Sequence, residues 1–377
     1  VKELKTTITP NPYFWIPDGN TSLTAALLEH KYTNECYYIK LLLNYPVAEY
    51  KNADLFQYFD QYSLRLLRLK KTILIFDATF EGFSPNEVPI ADALYENCLK
   101  YNVDPSRIFF FTGNLIHKDE KINVIPMFIL AKQSSWANNQ SMTFNESKNQ
   151  CEQNYQKPIL SLSRRNRFHR VLAHCMLFNS SLYNDCIISQ DVVNFKISHD
   201  VTNQMGLTES EVNNFKNSLP LIADKNQFDI NDPFNSLSKL HSETLFSIVN
   251  ETLAYNFDNT TLFFSEKFLK PIINFQPMLI YGHQGINKKL TLLGFKTYED
   301  YFDLSFDDEP NDIIRYRKLL ESASAVLENL KTMSRQDQIN WRFKNQELLE
   351  FNYQNFLKCK HADGSLKHFI NIVENIR

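Results

Sequence analysis

The run Ser163-Arg164-Arg165-Asn166-Arg167-Phe168-His169-Arg170 sets four guanidinium groups and one imidazole where an apolar run gives way to a helical one. Arginine forms bidentate, charge-assisted bonds to phosphate oxygens. A helix start adds free N–H groups and the positive end of its dipole, so the run suits a diphosphate; the alternative is a set of surface salt bridges. His169 suits either a phosphate donor or a residue that caps and orients the loop. A second cluster, Ser265-Glu266-Lys267 with Lys270, couples a carboxylate to two ammonium groups. The carboxylate can accept from two neighbouring hydroxyls, which is what a ribose offers, and an ammonium meets phosphate as a point charge. An acid at a helix start also favours the dipole without any ligand. With both clusters in one half of the chain, a nucleotide diphosphate is the economical explanation.

The elements that must position these residues alternate between strand and helix. Thr72–Phe76, Ala91–Tyr101 and Arg107–Phe111 read as strand, helix and strand, a βαβ unit, with Val124–Ala131 a further strand. Asp77 and Glu81 fall just past the first of these strands, where a side chain can meet a ligand or can serve as a turn or N-cap residue. The polar stretch from Gln133 to Gln156 reads as a linker or cleft loop. Beyond it, Pro158–Leu162, a helix at Val171–Phe178 and Cys186–Ile188 repeat the pattern. An Asn- and Asp-rich insertion with a helix at Glu209–Asn217 precedes the strands Thr244–Val249 and Pro277–Tyr281, the latter ending at Gly282. A helix over Ile286–Leu293 ends at Gly294, an acidic loop spans Asp303–Asp312, and Ile313–Leu330 and Gln338–Phe356 have helical periodicity. The expected division is 1–150 and 151–330 as two Rossmann-like domains of the α/β class, with 331–377 as C-terminal helices packing across them.

Bulk composition narrows the function classes. Hydrophobic residues at 43% and charged residues at 22% describe a soluble globular chain. Only 8 glycines occur, and neither GxGxxG nor GxxxxGK[S/T] is present, which argues against a Gly-rich phosphate loop. A net charge of −3 gives no global attraction to a polyanion, so a dedicated nucleic-acid binder is disfavoured. The basic edge Arg65, Arg68, Lys70 and Lys71 reads as a solvated helix end. The 6 cysteines form no CxxC pair, so zinc ribbons and redox motifs are disfavoured and reduced, cytosolic thiols are expected. No apolar run approaches the ~20 residues that span a bilayer.

Motif order carries a resemblance. Asn250-Glu251-Thr252, then Ser265-Glu266-Lys267 with Lys270-Pro271, Gln276-Pro277 and the Gly282 turn, resembles the donor domain of GT-B glycosyltransferases, in particular fucosyltransferase-like enzymes and their phage and viral relatives. Leu293-Gly294-Phe295-Lys296-Thr297-Tyr298 followed by Phe302-Asp303 is similar to a further element of that pattern. Arg164-Arg165-Asn166-Arg167 with His169-Arg170 is similar to its Arg-rich one. The likeness covers about residues 157–330; the first 150 residues match in layout alone.

The resemblance implies two Rossmann-like domains facing across a cleft, the C-terminal one holding a nucleotide-sugar and the N-terminal one a glycan or other hydroxyl acceptor. The implied donor set is Arg164, Arg165, His169, Arg170, Glu251, Glu266, Lys267, Lys270, Gly282 and His283, with Glu266 on the ribose and the cations on the diphosphate. Fixed cations that stabilise the leaving nucleotide make a metal unnecessary for the chemical step. No cofactor is therefore expected beyond the donor substrate, and no metal-binding DxD motif stands at a strand end. For an inverting reaction Asp77 and Glu81 are the base candidates, with His117 behind them. The expected compartment is the cytoplasm, or a host's if the chain is viral. The same chemistry on hydroxymethylated bases of phage-type DNA, and a non-catalytic nucleotide- or glycan-binding protein of this fold, are the alternatives.

Overall fold

Both sheets are made of short strands, several of them buried along their whole length, which is why they read as unbroken apolar runs instead of alternating ones. A computed structural model describes residues 54–80, 82–131, 142–163, 166–223, 237–254 and 260–376, with helical or strand residues at 14–15, 23, 26–27 and 37–41. The fold is mixed α/β, with largely parallel sheets and many helices. The chain divides into two units. One comprises 1–133, 257–263 and 359–377, and the other 134–256 and 264–358.

In the first unit the strands β1 (Phe14–Trp15), β2 (Tyr37–Leu41), β3 (Leu74–Ala78), β4 (Ile108–Thr112) and β5 (Asn123–Pro126) lie side by side in that order. β1 is antiparallel to β2, and the remaining pairs are parallel. Alternation along β4 sends its rings to opposite faces. Phe110 meets Phe76 and the core that includes Leu94 and Cys98 of the helix Ile90–Tyr101. Phe109 and Phe111 instead meet Phe369 edge to face at 4.9 and 5.1 Å. Phe369 belongs to the C-terminal helix Lys360–Asn375, which Ser365 ties to the Pro126 carbonyl at 2.7 Å. Asn114, just past β4, donates to the carbonyls of Phe83 and Thr260 and accepts from the Leu262 amide, fastening the returning segment to this unit.

The second unit carries β6 (Ile159–Leu162), β7 (Cys186–Ser189), β8 (Phe246–Asn250) and β9 (Met278–Tyr281), all parallel and ordered β7-β6-β8-β9. Arg342, at the end of the helix Arg335–Arg342, is fully buried. It donates to the carbonyls of His241, Thr244 and Asn274. Those loops would otherwise present buried, unsatisfied acceptors, so a guanidinium does there what water does at a surface.

Several expectations change at the level of elements. The stretch expected to be a linker contains the helix Phe144–Asn154, started by a capping box between Thr143 and Glu146. That helix belongs to the second unit, and the division falls between 133 and 134, where 150 was expected. The C-terminal segment does not stay together: 331–358 lies in the second unit and 359–377 in the first. Gln338–Phe356 is two helices, Arg335–Arg342 and Gln346–Lys358. The acidic loop Asp303–Asp312 has both a buried and an exposed carboxylate. Asp307 is buried and accepts from Asn287 and the Lys288 amide, while Asp308 is the exposed partner of Lys288. The helix Glu209–Asn217 and the left-handed cap at Gly294 are as expected.

Among the described residues the five cysteines Cys98, Cys151, Cys175, Cys186 and Cys359 are buried free thiols, and no helix is long and apolar enough to cross a membrane. Replacing Arg342 with Met strands several buried carbonyls, so a loss of roughly 3–5 kcal/mol is expected, read as a fall in the urea midpoint of unfolding.

Candidate functional site

In the second sheet the chain passes from β6 to β7 on one side and later returns to β8 on the other side of β6. Loops leaving the carboxyl ends of β6 and β8 therefore diverge, and the crevice between them is where an open parallel sheet takes a ligand. β6 delivers Ser163 to Arg167 and then the helix Phe168–Phe178. This helix starts three residues earlier than its apolar periodicity indicates, so Phe168, His169 and Arg170 form its first turn. β8 delivers Glu251 and Thr252, and β9 delivers Gly282 and His283. The tight turn Glu266–Phe268, capped by Ser265, reaches the same place.

Glu251 is the hub. Its residue is 0% exposed. Oε2 accepts from the Ser265 hydroxyl at 2.6 Å, the Thr252 amide at 2.9 Å and the Ser265 amide at 3.2 Å. Its backbone carbonyl accepts from Arg170 Nε at 2.9 Å and His169 Nε2 at 3.0 Å, so that ring carries its proton on Nε2. Oε1 is buried and has no hydrogen bond. Burial lifts the Glu251 pKa above the ordinary glutamate value, opposed by Lys267 and by the bonds from Ser265 and Thr252. Gly282 lets this happen. A Cβ there would stand 3.2 Å from Glu251 Cβ and 2.5 Å from Ile286 Cδ1.

The ammonium of Lys267 sits between three oxygens: Glu266 Oε1 at 2.9 Å, and the Ser265 and Thr252 hydroxyls at 3.3 Å each. Burial lowers its pKa, with the Arg170 charge adding to the fall and Glu266 and Glu251 opposing it. For Glu266, burial acts to raise the pKa, but the charge and hydrogen bond of Lys267 outweigh it and the carboxyl ends below its usual range. The Lys267 and Glu266 side chains keep 26% and 18% exposure, which leaves both within reach of a ligand. Arg167 is half-buried and donates to the Thr252 carbonyl at 3.2 Å. As the N-cap of its helix it supplies no side-chain hydrogen bond to the first turn.

A buried polar layer supports the crevice from below. Asn250 donates to His174 Nε2, so His174 carries its proton on Nδ1 and donates to Gln190 Oε1, both at 3.0 Å. Gln190 in turn donates to Asn166 at 2.7 Å. Helix, β8 and the loops after β6 and β7 are thereby tied together. Burial lowers the His174 pKa to about 4 and that of His169 to about 3, so both rings are neutral near pH 7. From the other side Arg315 donates to the carbonyls of Ala254 and Gly282.

Of the expected donor set, His169, Arg170, Glu251, Glu266 and Lys267 come together here. Their roles differ from those the sequence implied. Arg170, expected on an anion, and His169, for which phosphate binding and loop orientation were both open, are buried and bind the Glu251–Thr252 segment, Arg170 also reaching the Thr252 hydroxyl at 3.1 Å. Glu251 is likewise internal. Gly282 acts as a packing contact, and Lys270 and His283 are buried, Lys270 lowering the Glu266 pKa by its charge. Arg164, Arg165 and Glu81 lie outside the described residues.

Asp77 belongs to the first unit and falls inside β3 rather than past its end. It is 1% exposed, and Oδ1 accepts from the Thr79 amide and hydroxyl at 2.9 and 2.7 Å. That is the turn-forming role. His117 is buried against Phe110, which lowers its pKa. Arg315, His174 and Gln190 were missed. For Arg315 a signal existed, since it lies among the apolar positions Ile313, Tyr316 and Leu319 of a helix whose buried face it shares.

In comparisons with known proteins no family model matches the chain, and neither a curated protein nor a solved structure matches it. Fold and site together define a mixed α/β protein with an ion pair, Glu266–Lys267, at the carboxyl edge of a parallel sheet.

Two substitutions test this geometry. Gly282→Ala forces Ile286 and Glu251 to move and is expected to lower stability by roughly 1–3 kcal/mol, read by chemical denaturation. Glu251→Gln tests the buried acid through pH. The folded state of the wild type holds the Glu251 proton more tightly than the unfolded chain does. Its stability relative to the variant is therefore greatest below about pH 4.3 and falls as pH rises through the folded pKa. A stability difference independent of pH would remove the raised pKa from the account.

Proposed function

We propose that the chain is a glycosyltransferase that moves a sugar from a nucleotide-sugar donor to a hydroxyl acceptor, most simply a glycan. The observation that carries the reading is the Glu266–Lys267 ion pair, still partly exposed, beside half-buried Arg167 at the switch point of a parallel sheet. Carboxylate, ammonium and guanidinium in that order suit a ribose followed by a diphosphate.

In this proposal Glu266 accepts from ribose hydroxyls, and Lys267 and Arg167 bear on the diphosphate, joined by Arg164 and Arg165 as the resemblance implies. As the bond from the anomeric carbon to the diphosphate oxygen breaks, negative charge grows on the leaving group. Cations held in a preorganised, poorly hydrated site lower the barrier without reorganising. The acceptor oxygen forms the new bond and gives its proton to a base. Glu81 is the base we propose, by residue type and its place after β3. Asp77, held by Thr79, shapes the turn that leads to it. The two α/β units would be the donor and acceptor halves of a GT-B enzyme. Buried Glu251, Arg170 and His169 then position the donor loops without touching the donor.

A thermal-shift screen with UDP-, GDP-, CMP- and dTDP-linked sugars tests the reading. A donor at ~100 times its Kd is expected to stabilise the protein by roughly 2.7 kcal/mol. Glu266→Ala is expected to abolish that shift while leaving the ligand-free melting temperature nearly unchanged. No shift with any of these donors would sink the proposal. Full turnover in Glu81→Gln would remove the base assignment alone.

A further inference from the structure

Next to the proposed donor site lies an aromatic edge that no part of that reading uses. Phe168, the first residue of the helix after β6, keeps 38% of its surface exposed, and its ring lies 5.5 Å from that of Phe195 at a tilt of 43°. Val192, also exposed, lies in the same loop after β7 as Phe195. The loop is anchored at two points: Lys216 donates to the Phe195 carbonyl at 2.9 Å, and Asn166 donates to the Val192 carbonyl. An exposed aromatic ring backed by a second ring on an anchored loop, near convergent polar groups, is a feature of ligand surfaces.

A chain of contacts joins this edge to the donor site. Glu266 binds Lys267 at 2.9 Å, and Lys267 reaches the Thr252 hydroxyl at 3.3 Å. The Thr252 carbonyl accepts from Arg167 at 3.2 Å, and Arg167 is the residue before Phe168. The order runs carboxylate, ammonium, guanidinium, aromatic ring. A nucleotide-sugar has the order ribose, two phosphates, hexose. With the ribose at Glu266 and the phosphates at Lys267 and Arg167, the next group along this chain of contacts is the Phe168 ring.

We infer that Phe168, backed by Phe195 and flanked by Val192, seats the transferred sugar, a neutral hexosyl or deoxyhexosyl group laid with its C–H face on the ring; this rests on the donor-site reading above. Sugars have one face rich in C–H groups and hydroxyls around the rim. An aromatic face takes the former, and the exposed Asn166 amide, which has one N–H beyond its bond to Val192, can donate to the latter.

Calorimetric titration of the full chain tests the inference. The probes are UDP, GDP and dTDP beside UDP-glucose, UDP-galactose, GDP-mannose, GDP-fucose and dTDP-glucose. Wild-type protein is expected to bind at least one conjugate more tightly than its parent diphosphate. Phe168→Ala is expected to weaken that conjugate by about 3- to 10-fold and to leave the parent diphosphate within about twofold, while Phe168→Tyr keeps the preference. Equal weakening of conjugate and diphosphate in Phe168→Ala, with its melting temperature preserved, would overturn the assignment to the sugar. So would unchanged affinity for both. Wild-type binding of diphosphates without a preference for any conjugate would overturn the sugar seat and leave the donor-site reading standing. Binding of neither class would overturn both.

Discussion

A fully buried glutamate, bonded through its backbone carbonyl and one carboxylate oxygen, organises the second unit. Glu251 stands at the point where the strand order reverses, and it cannot be hydrated there. Its carboxylate draws in Ser265 and the Thr252 amide, which fixes the turn that presents Glu266 and Lys267. Its carbonyl draws in Arg170 and His169, which fixes the helix that presents Arg167 and Phe168. Both walls of the crevice are thus set by one residue. A charge or carbonyl left unpaired at this depth costs several kcal/mol, so the loops have little freedom to take another arrangement.

Buried arginines extend the same principle. Arg170, Arg315 and Arg342 are nearly inaccessible, and each donates to backbone carbonyls of loops. A guanidinium carries five donors in a rigid fork, so one side chain can satisfy several loop carbonyls at once. Arg315 joins the loops after β8 and β9, and Arg342 joins the segments that precede them in the chain. Arg170 and Arg315 thereby fix the loops after β8 and β9, beside the partly buried cations Lys267 and Arg167.

Much of the α/β layout was legible because buried strands leave short apolar runs and the helices between them are periodic. β3, β4, β6, β8 and β9 all fall within a residue or two of the runs that announced them. The helix Phe144–Asn154 was not, since its low hydrophobic content disguised it as a linker, although Thr143 and Glu146 spell its capping box. The clustering of Arg167–Arg170 with Glu251 and Ser265–Lys267 was legible in type. The inward direction of Arg170 and His169 was not, because residue type cannot tell an arginine that meets phosphate from one that meets a carbonyl. Asp77 shows the same limit, its carboxylate being closed by Thr79 two residues on.

The central claim is spatial: a donor diphosphate lies beyond β6 and β8, between Arg167 and Lys267. A crystal structure of the chain grown with UDP or GDP measures this directly. The account predicts density for the two phosphates within hydrogen-bonding distance of the Lys267 ammonium and the Arg167 guanidinium, with the ribose at Glu266. A diphosphate seated in the first unit, or at the amino ends of the second sheet's strands, would contradict it.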